Sequence, residues 1–219
     1  MSFLNKISPY IDILNPKKSK EFINKSRDTH GLKPSLYNVA IATMVTMIIS
    51  IIQNTALQNY IQTTLLADPT QAEAASQLLI ILERTLSIPF IILNFFIGIA
   101  FFYLVAYSFY FLVKMLGGKV SFNSHAYVLS VLYSSFILAS MLLYTIIFIF
   151  YRSTQPDFFI GILALIILSL TLYAIYNVMR VLHGLSRWTA IIGLLCFIAI
   201  FYILVTALER ALIKLTLGI

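Results

Sequence analysis

Residues 88–116 read IPFIILNFFIGIAFFYLVAYSFYFLVKML, and Lys114 is their only charge. About 20 apolar residues in a helix cross roughly 30 Å of hydrocarbon, so this stretch is long enough to span a membrane with some tilt. It shows no period-2 alternation, which excludes a barrel strand. A helix satisfies its own backbone hydrogen bonds, so lipid tolerates it. Four other stretches share this character: 36–57, 124–151, 158–180 and 188–209. Asp68-Pro69, Gly117-Gly118, Gln155-Pro156 and Gly184 punctuate the intervals between spans. The expected fold is an all-α integral membrane protein with five transmembrane helices. Residues 1–34 form a basic amphipathic N-terminal segment, 35–210 the membrane domain, and 211–219 a short outer tail.

Composition agrees. Hydrophobic residues make up 60% and charged residues 11% of the chain, against about 25% charged in soluble domains. A soluble globule of 219 residues cannot hide that much apolar surface, and a disordered chain would not carry it. The lone cysteine, Cys196, excludes an internal disulfide and a CxxC motif. Ser8, Pro9 and Asp12 interrupt the first apolar run, so no signal peptide is expected. No cysteine near either end offers a site for prenylation or palmitoylation.

The net charge of +7 finds its explanation in topology. Lys6, Lys17, Lys18, Lys20, Lys25, Arg27 and Lys33 precede the first span. Lys114 and Lys119 join the second to the third, and Arg180 and Arg187 join the fourth to the fifth. Only Arg84, Arg152, Arg210 and Lys214 fall on the opposite side. The positive-inside rule then predicts a cytoplasmic N-terminus and an extracellular C-terminus. Most acids divide the other way, with Asp68, Glu73, Glu83, Asp157 and Glu209 outside. The basic balance therefore needs no nucleic acid to explain it. Tyr103, Tyr107, Tyr110, Tyr127, Tyr173, Tyr176 and Trp188 lie near the inner ends, where such rings anchor helices.

Two segments read as interfacial. Phe3, Ile7, Tyr10 and Leu14 share one helical face, and Asn15-Pro16 signals the start of a second short helix with Phe22 and Ile23 as anchors. Lys17, Lys18, Lys20, Lys25 and Arg27 surround those anchors and fit anionic lipid headgroups, each contributing about 1 kcal/mol. Beyond the first span, Asp68-Pro69 opens a predicted helix over 70–85 in the outer loop 58–87, either lying on the outer surface or extending the second span outward.

The chain offers little for chemistry. No charge sits in the middle of a span, where proton relays and ion pathways keep theirs. His30, His125 and His183 have no second ligand at metal spacing, and no GxSxG elbow or phosphate loop is present. No catalytic residue, metal or cofactor is expected. Ala42, Thr46, Ser50 and Asn54 recur every four residues in the first span. Ser130 with Ser134, and Ser135 with Ala139, do so in the third. Small and hydroxyl residues at this spacing let helices approach and bond across the contact. The alternative use of such a stripe is a polar path through an oligomeric permease or channel.

Several motifs occur in a definite order. A short helix after Pro16, carrying Phe22, precedes five spans. Leu116-Gly117-Gly118-Lys119-Val120-Ser121-Phe122 follows the second span, and Tyr127 to Ser135 opens the third. Val181-Leu182-His183-Gly184-Leu185-Ser186-Arg187-Trp188 links the last two. In this order, over about residues 9–210, the chain resembles the Yip domain family, the Ypt-interacting membrane proteins, particularly its archaeal and bacterial branch. The resemblance implies five helices with a cytoplasmic N-terminal part. It also implies the plasma membrane of a prokaryote, or an endomembrane in a eukaryote. Eukaryotic relatives are similar to traffic factors that bind Rab GTPases. This chain has no Tyr-Gly-Pro sequence of their type, and Phe136 follows Ser134-Ser135 where a proline is common. The expectation is a non-enzymatic protein acting by interaction: an adaptor, an accessory subunit or a membrane-organising factor. Its partners would be anionic headgroups and another membrane protein or a second copy. The candidate docking residues are the basic N-terminal set, with Gly117, Gly118, Lys119, Phe122, His183, Gly184, Ser186 and Arg187.

Overall fold

A computed structural model describes residues 3–27, 31–66, 70–150 and 157–217. His30, the Asp68-Pro69 and Gln155-Pro156 breaks, and Arg152 lie outside the described residues. The described chain is helical: α1 (Phe3–Asp12), α2 (Ser19–Lys25), α3 (Leu32–Tyr60), α4 (Ala72–Thr85), α5 (Ile88–Met115), α6 (Phe122–Phe150), α7 (Asp157–Asn177) and α8 (Arg187–Leu217). π-helical turns follow α3 at Ile61–Leu65 and α7 at Val178–Leu182.

Five stretches are long and apolar enough to cross a membrane: Leu32–Thr63, Ile88–Met115, Phe122–Met141, Ala164–Leu182 and Arg187–Lys214. This is a multi-pass membrane protein. At 1.5 Å per residue α6, with 29 residues, is about 44 Å long and exceeds the hydrocarbon thickness. The last helix continues past Glu209 to Leu217, so most of the expected outer tail is helix. The large apolar side chains left exposed, such as Ile48, Phe96, Leu165 and Tyr202, are those a bilayer covers.

Contacts divide the chain into two units, residues 1–42 with 102–200, and residues 43–101 with 201–219. In the second unit α4 packs on the π-helical turn Ile61–Leu65. Ile61, Ala75 and Leu82 are buried there, with Leu65 and Leu79 beside them. The expected outer-loop helix therefore exists, and its Ala75 and Leu82 are covered by its own chain while Leu78 and Ile80 stay exposed.

The first unit holds most of the buried residues. α1 packs on α6, and α2 on α7 and the turn that follows it. In α2 the Ser19 and Ile23 side chains are fully buried, and Asn177 Nδ2 donates to Ser19 Oγ at 3.2 Å. Ile23 is thus no lipid anchor; its burial, worth roughly 2 kcal/mol, holds α2 on the bundle. Asn15 does not cap α2, which begins at Ser19. Its Oδ1 instead accepts from the Lys17 backbone at 2.9 Å in a turn one step earlier.

α3 meets α6 through its first turns. Ser35 Oγ donates to the Ala126 carbonyl at 3.1 Å and Ser134 Oγ to the Asn38 carbonyl at 3.2 Å. Asn38 Nδ2 donates to Ser130 Oγ at 3.1 Å, and Asn38 Oδ1 accepts from Tyr10 at 3.0 Å. One amide thereby ties α1, α3 and α6 together. Asn38→Leu should cost about 1–2 kcal/mol of unfolding free energy in detergent. A stability equal to wild type would show that the amide is dispensable.

Candidate functional site

Both motif-bearing connections of the first unit are built alike. α5 is closed off just past its end by Gly117, whose φ of +94° lies in the left-handed region. Gly117 N donates to the Lys114 carbonyl at 3.0 Å and Gly118 N to the Val113 carbonyl at 2.9 Å. This pair of bonds is the glycine-terminated helix end that satisfies the last free carbonyls. α6 then starts under Ser121, whose Oγ lies 3.5 Å from Ser124 N. The other connection follows the same plan. Gly184, with φ +70°, ends the turn after α7, and Ser186 Oγ accepts from Thr189 N at 3.2 Å to cap α8.

The two connections touch. A Cβ placed on Gly118 would lie 2.6 Å from Val113 Cγ1 and 2.9 Å from both the Val113 carbonyl and His183 Nδ1. Only a glycine admits that approach. Beneath it His183 Nε2 stands 2.8 Å from His125 Nδ1, and the two rings are 1% and 0% exposed. One nitrogen of the contact donates and the other accepts. Phe109 and Tyr110 pack on His125 with ring centroids at 4.9 and 5.5 Å. The Ala106 carbonyl is near enough to His125 to interact. Even so, neither outer nitrogen, His125 Nε2 nor His183 Nδ1, closes a hydrogen bond among the described residues.

Burial foremost, with the charges of Lys114 and Arg27 acting in the same direction, lowers the His183 pKa to about 4. His183 is therefore neutral at pH 7. It is a buried pin between α6 and the α7–α8 connection, not an exposed docking group. Phe122 is half-buried, with Tyr107 and Tyr110 ring centroids at 5.9 and 5.4 Å. Of the expected docking set in these connections, Lys119 and Arg187 are the charged side chains that are exposed, with Trp188 exposed beside Arg187.

The N-terminal helices share this end. Ser124 Oγ donates to the Arg27 carbonyl at 2.7 Å, and Lys17, Lys18, Lys20, Lys25 and Arg27 are all exposed. Two acids, Asp12 and Glu21, are described in these helices. Asp12 lies 3.4 Å from Lys18, and Glu21 lies 2.7 Å from Lys25. The hydrogen bond from Lys25 and its charge lower the Glu21 pKa, and the same bond with the Glu21 charge raises that of Lys25. The remaining cations leave this end basic.

The serines of the third span face inward. Ser130 donates to the Tyr127 carbonyl, Ser134 to the Ser130 carbonyl and Ser135 to the Val131 carbonyl. Ala139 is half-buried. Along α3, Ala42 is buried, Thr46 and Ser50 are exposed, and Asn54 is half-buried. Strict four-residue spacing advances about 40° per step on a 3.6-residue helix, so the stripe turns away from the face that Ala42 buries. The residues on that face are Ser35, Asn38, Val39 and Ala42. Their i, i+3, i+4, i+7 spacing is the signal that finds them.

Among the described residues no group of three or more His, Cys, Asp or Glu side chains is placed to hold a metal ion. A family model described as the Yip1 domain matches residues 11–208. No curated protein and no solved structure matches the chain.

Proposed function

The chain belongs to the Yip1 domain family, and from that premise we propose that it is a non-enzymatic membrane protein acting by interaction, as an adaptor, accessory subunit or membrane-organising factor. The observation that carries this reading is the pairing of the two connections. Gly118 and His183 lock them together, which fixes the backbone that presents Lys119 and Arg187. A fixed basic face loses little conformational freedom on binding, so more of its contact energy appears as affinity. The same end carries the basic N-terminal helices, which suit anionic headgroups. The excess of basic residues here favours a cytoplasmic orientation for this face.

Purification from the native membrane in mild detergent, followed by mass spectrometry, tests the reading. A stoichiometric companion should accompany the wild type and be lost from Lys119→Glu/Arg187→Glu. Both side chains are exposed, so thermal stability should stay within about 0.5 kcal/mol. A companion retained equally by the variant would place docking elsewhere.

A further inference from the structure

Between α2 and the end of α7 lies a cleft of about 320 Å3, lined by Lys20, Tyr173, Tyr176, Asn177, Arg180 and Val181. We propose that this cleft is a binding site for the phosphate of an anionic phospholipid headgroup. This rests on the reading of the basic end as a docking face and narrows it to one site and one ligand class.

The lining follows from helical periodicity. Residues 173, 176, 177, 180 and 181 fall on one face at i, i+3, i+4, i+7 and i+8, and Lys20 comes from α2 opposite. The wall is rigid on both sides. Asn177 is buried and bonded to Ser19, and Ile23 seats α2 on the bundle. Tyr173 OH reaches the Pro16 carbonyl at 3.5 Å.

Its charge is uncompensated. No carboxylate lines the cleft, and neither Lys20 nor Arg180 has an ion-pair partner among the described residues. Arg180 Cζ sits 6.0 Å from the centroid of the Tyr176 ring, a contact that orients the guanidinium. A planar guanidinium with a mobile ammonium opposite suits a phosphate diester, which accepts hydrogen bonds from both. The cleft is at the lower end of the range for small-molecule sites, about 300–1,000 Å3, and so matches a headgroup. Its level selects the source. The fourth span runs Ala164–Leu182, so Arg180 stands in its last turn, where lipid headgroups meet a helix end.

The test uses the full chain, delipidated in detergent, with thermal unfolding followed against added dioctanoyl phosphatidylglycerol, dioctanoyl phosphatidylcholine or inorganic phosphate. Phosphatidylglycerol should protect the wild type at lower concentration than phosphatidylcholine. Lys20→Gln/Arg180→Gln should raise the protecting concentration about tenfold or more. Lys33→Gln/Lys114→Gln, which removes equal charge outside the cleft, should leave it within about twofold. Lys20→Glu alone, at an exposed position, gives the same readout should the double variant fold poorly. Equal loss in the two double variants would overturn the site and leave a diffuse basic face standing. Indifference of the wild type to headgroup charge would overturn the site and remove lipid from the broader reading, while the companion-capture result stays separate. Protection by inorganic phosphate at equal concentration would overturn the lipid assignment.

Discussion

Gly118→Ala lowers the unfolding free energy by about 2–3 kcal/mol, the largest loss expected from adding a single carbon anywhere in the connections. The added carbon meets the Val113 carbonyl at 2.9 Å and Val113 Cγ1 at 2.6 Å. The carbonyl cannot swing aside because it accepts the Gly118 N–H that closes α5. Either the helix end opens or the two connections separate. Gly117 gives the contrast. Nothing lies within 4 Å of its Cβ position, and its constraint is the φ of +94° alone. Asparagine tolerates left-handed backbone better than other residues, so Gly117→Asn should be mild and Gly118→Asn severe. Thermal unfolding in one detergent ranks the variants, at about 2–4 °C per kcal/mol for a chain of this size. The reverse order would mean that turn geometry, not close approach, fixes this site.

The second large effect belongs to the buried histidines. His125→Leu leaves His183 Nε2 buried without its partner and should cost about 1–3 kcal/mol. His183→Leu should cost a similar amount. The double leucine variant should lose less than the two together, because replacing both partners removes the orphaned group. A fully additive result would show that the 2.8 Å contact contributes nothing. Acid should act through the same pair. The His183 pKa is lowered from 6.5 to about 4 in the folded chain, so between those values the unfolded state binds more protons. Stability is then complete above about pH 6.5 and falls as the pH drops through about 4, by about 3 kcal/mol in all. His183→Leu should flatten that slope. A wild-type profile already level from pH 7 to 4 would refute the buried neutral state.

The five spans were legible because about 20 apolar residues in a row have few other uses. The connections were legible too, since Gly117-Gly118 and His183-Gly184 carry the helix-ending residue in plain view. What they do was less so. His183, next to glycine and near Arg187, reads as part of a polar loop. It turns inward after a π-helical turn at Val178–Leu182, a backbone feature with no compositional trace. Ser50 shows a related limit. Its four-residue spacing from Thr46 is real, but which face of α3 becomes buried depends on the partner helix. The basic N-terminal segment was legible as amphipathic. That Ile23 is buried, with α2 packed on α7 and the turn after it, depends on contacts across the sequence such as that between Ser19 and Asn177.

That same contact bears on the order of synthesis. Ser19 and Asn177 are 158 residues apart, and a ribosome adding about 5–20 residues per second takes on the order of ten seconds to cover the distance. Throughout that interval α2 has no seat. Its lysines are free to act on the orientation of the first spans while the fourth is still unmade. Only when α7 has entered the membrane can α2 pack on it and on the turn that follows. Seating of α2 therefore waits for the fourth span, and a chain arrested before α7 would be expected to leave α2 exposed to solvent, lipid or chaperones.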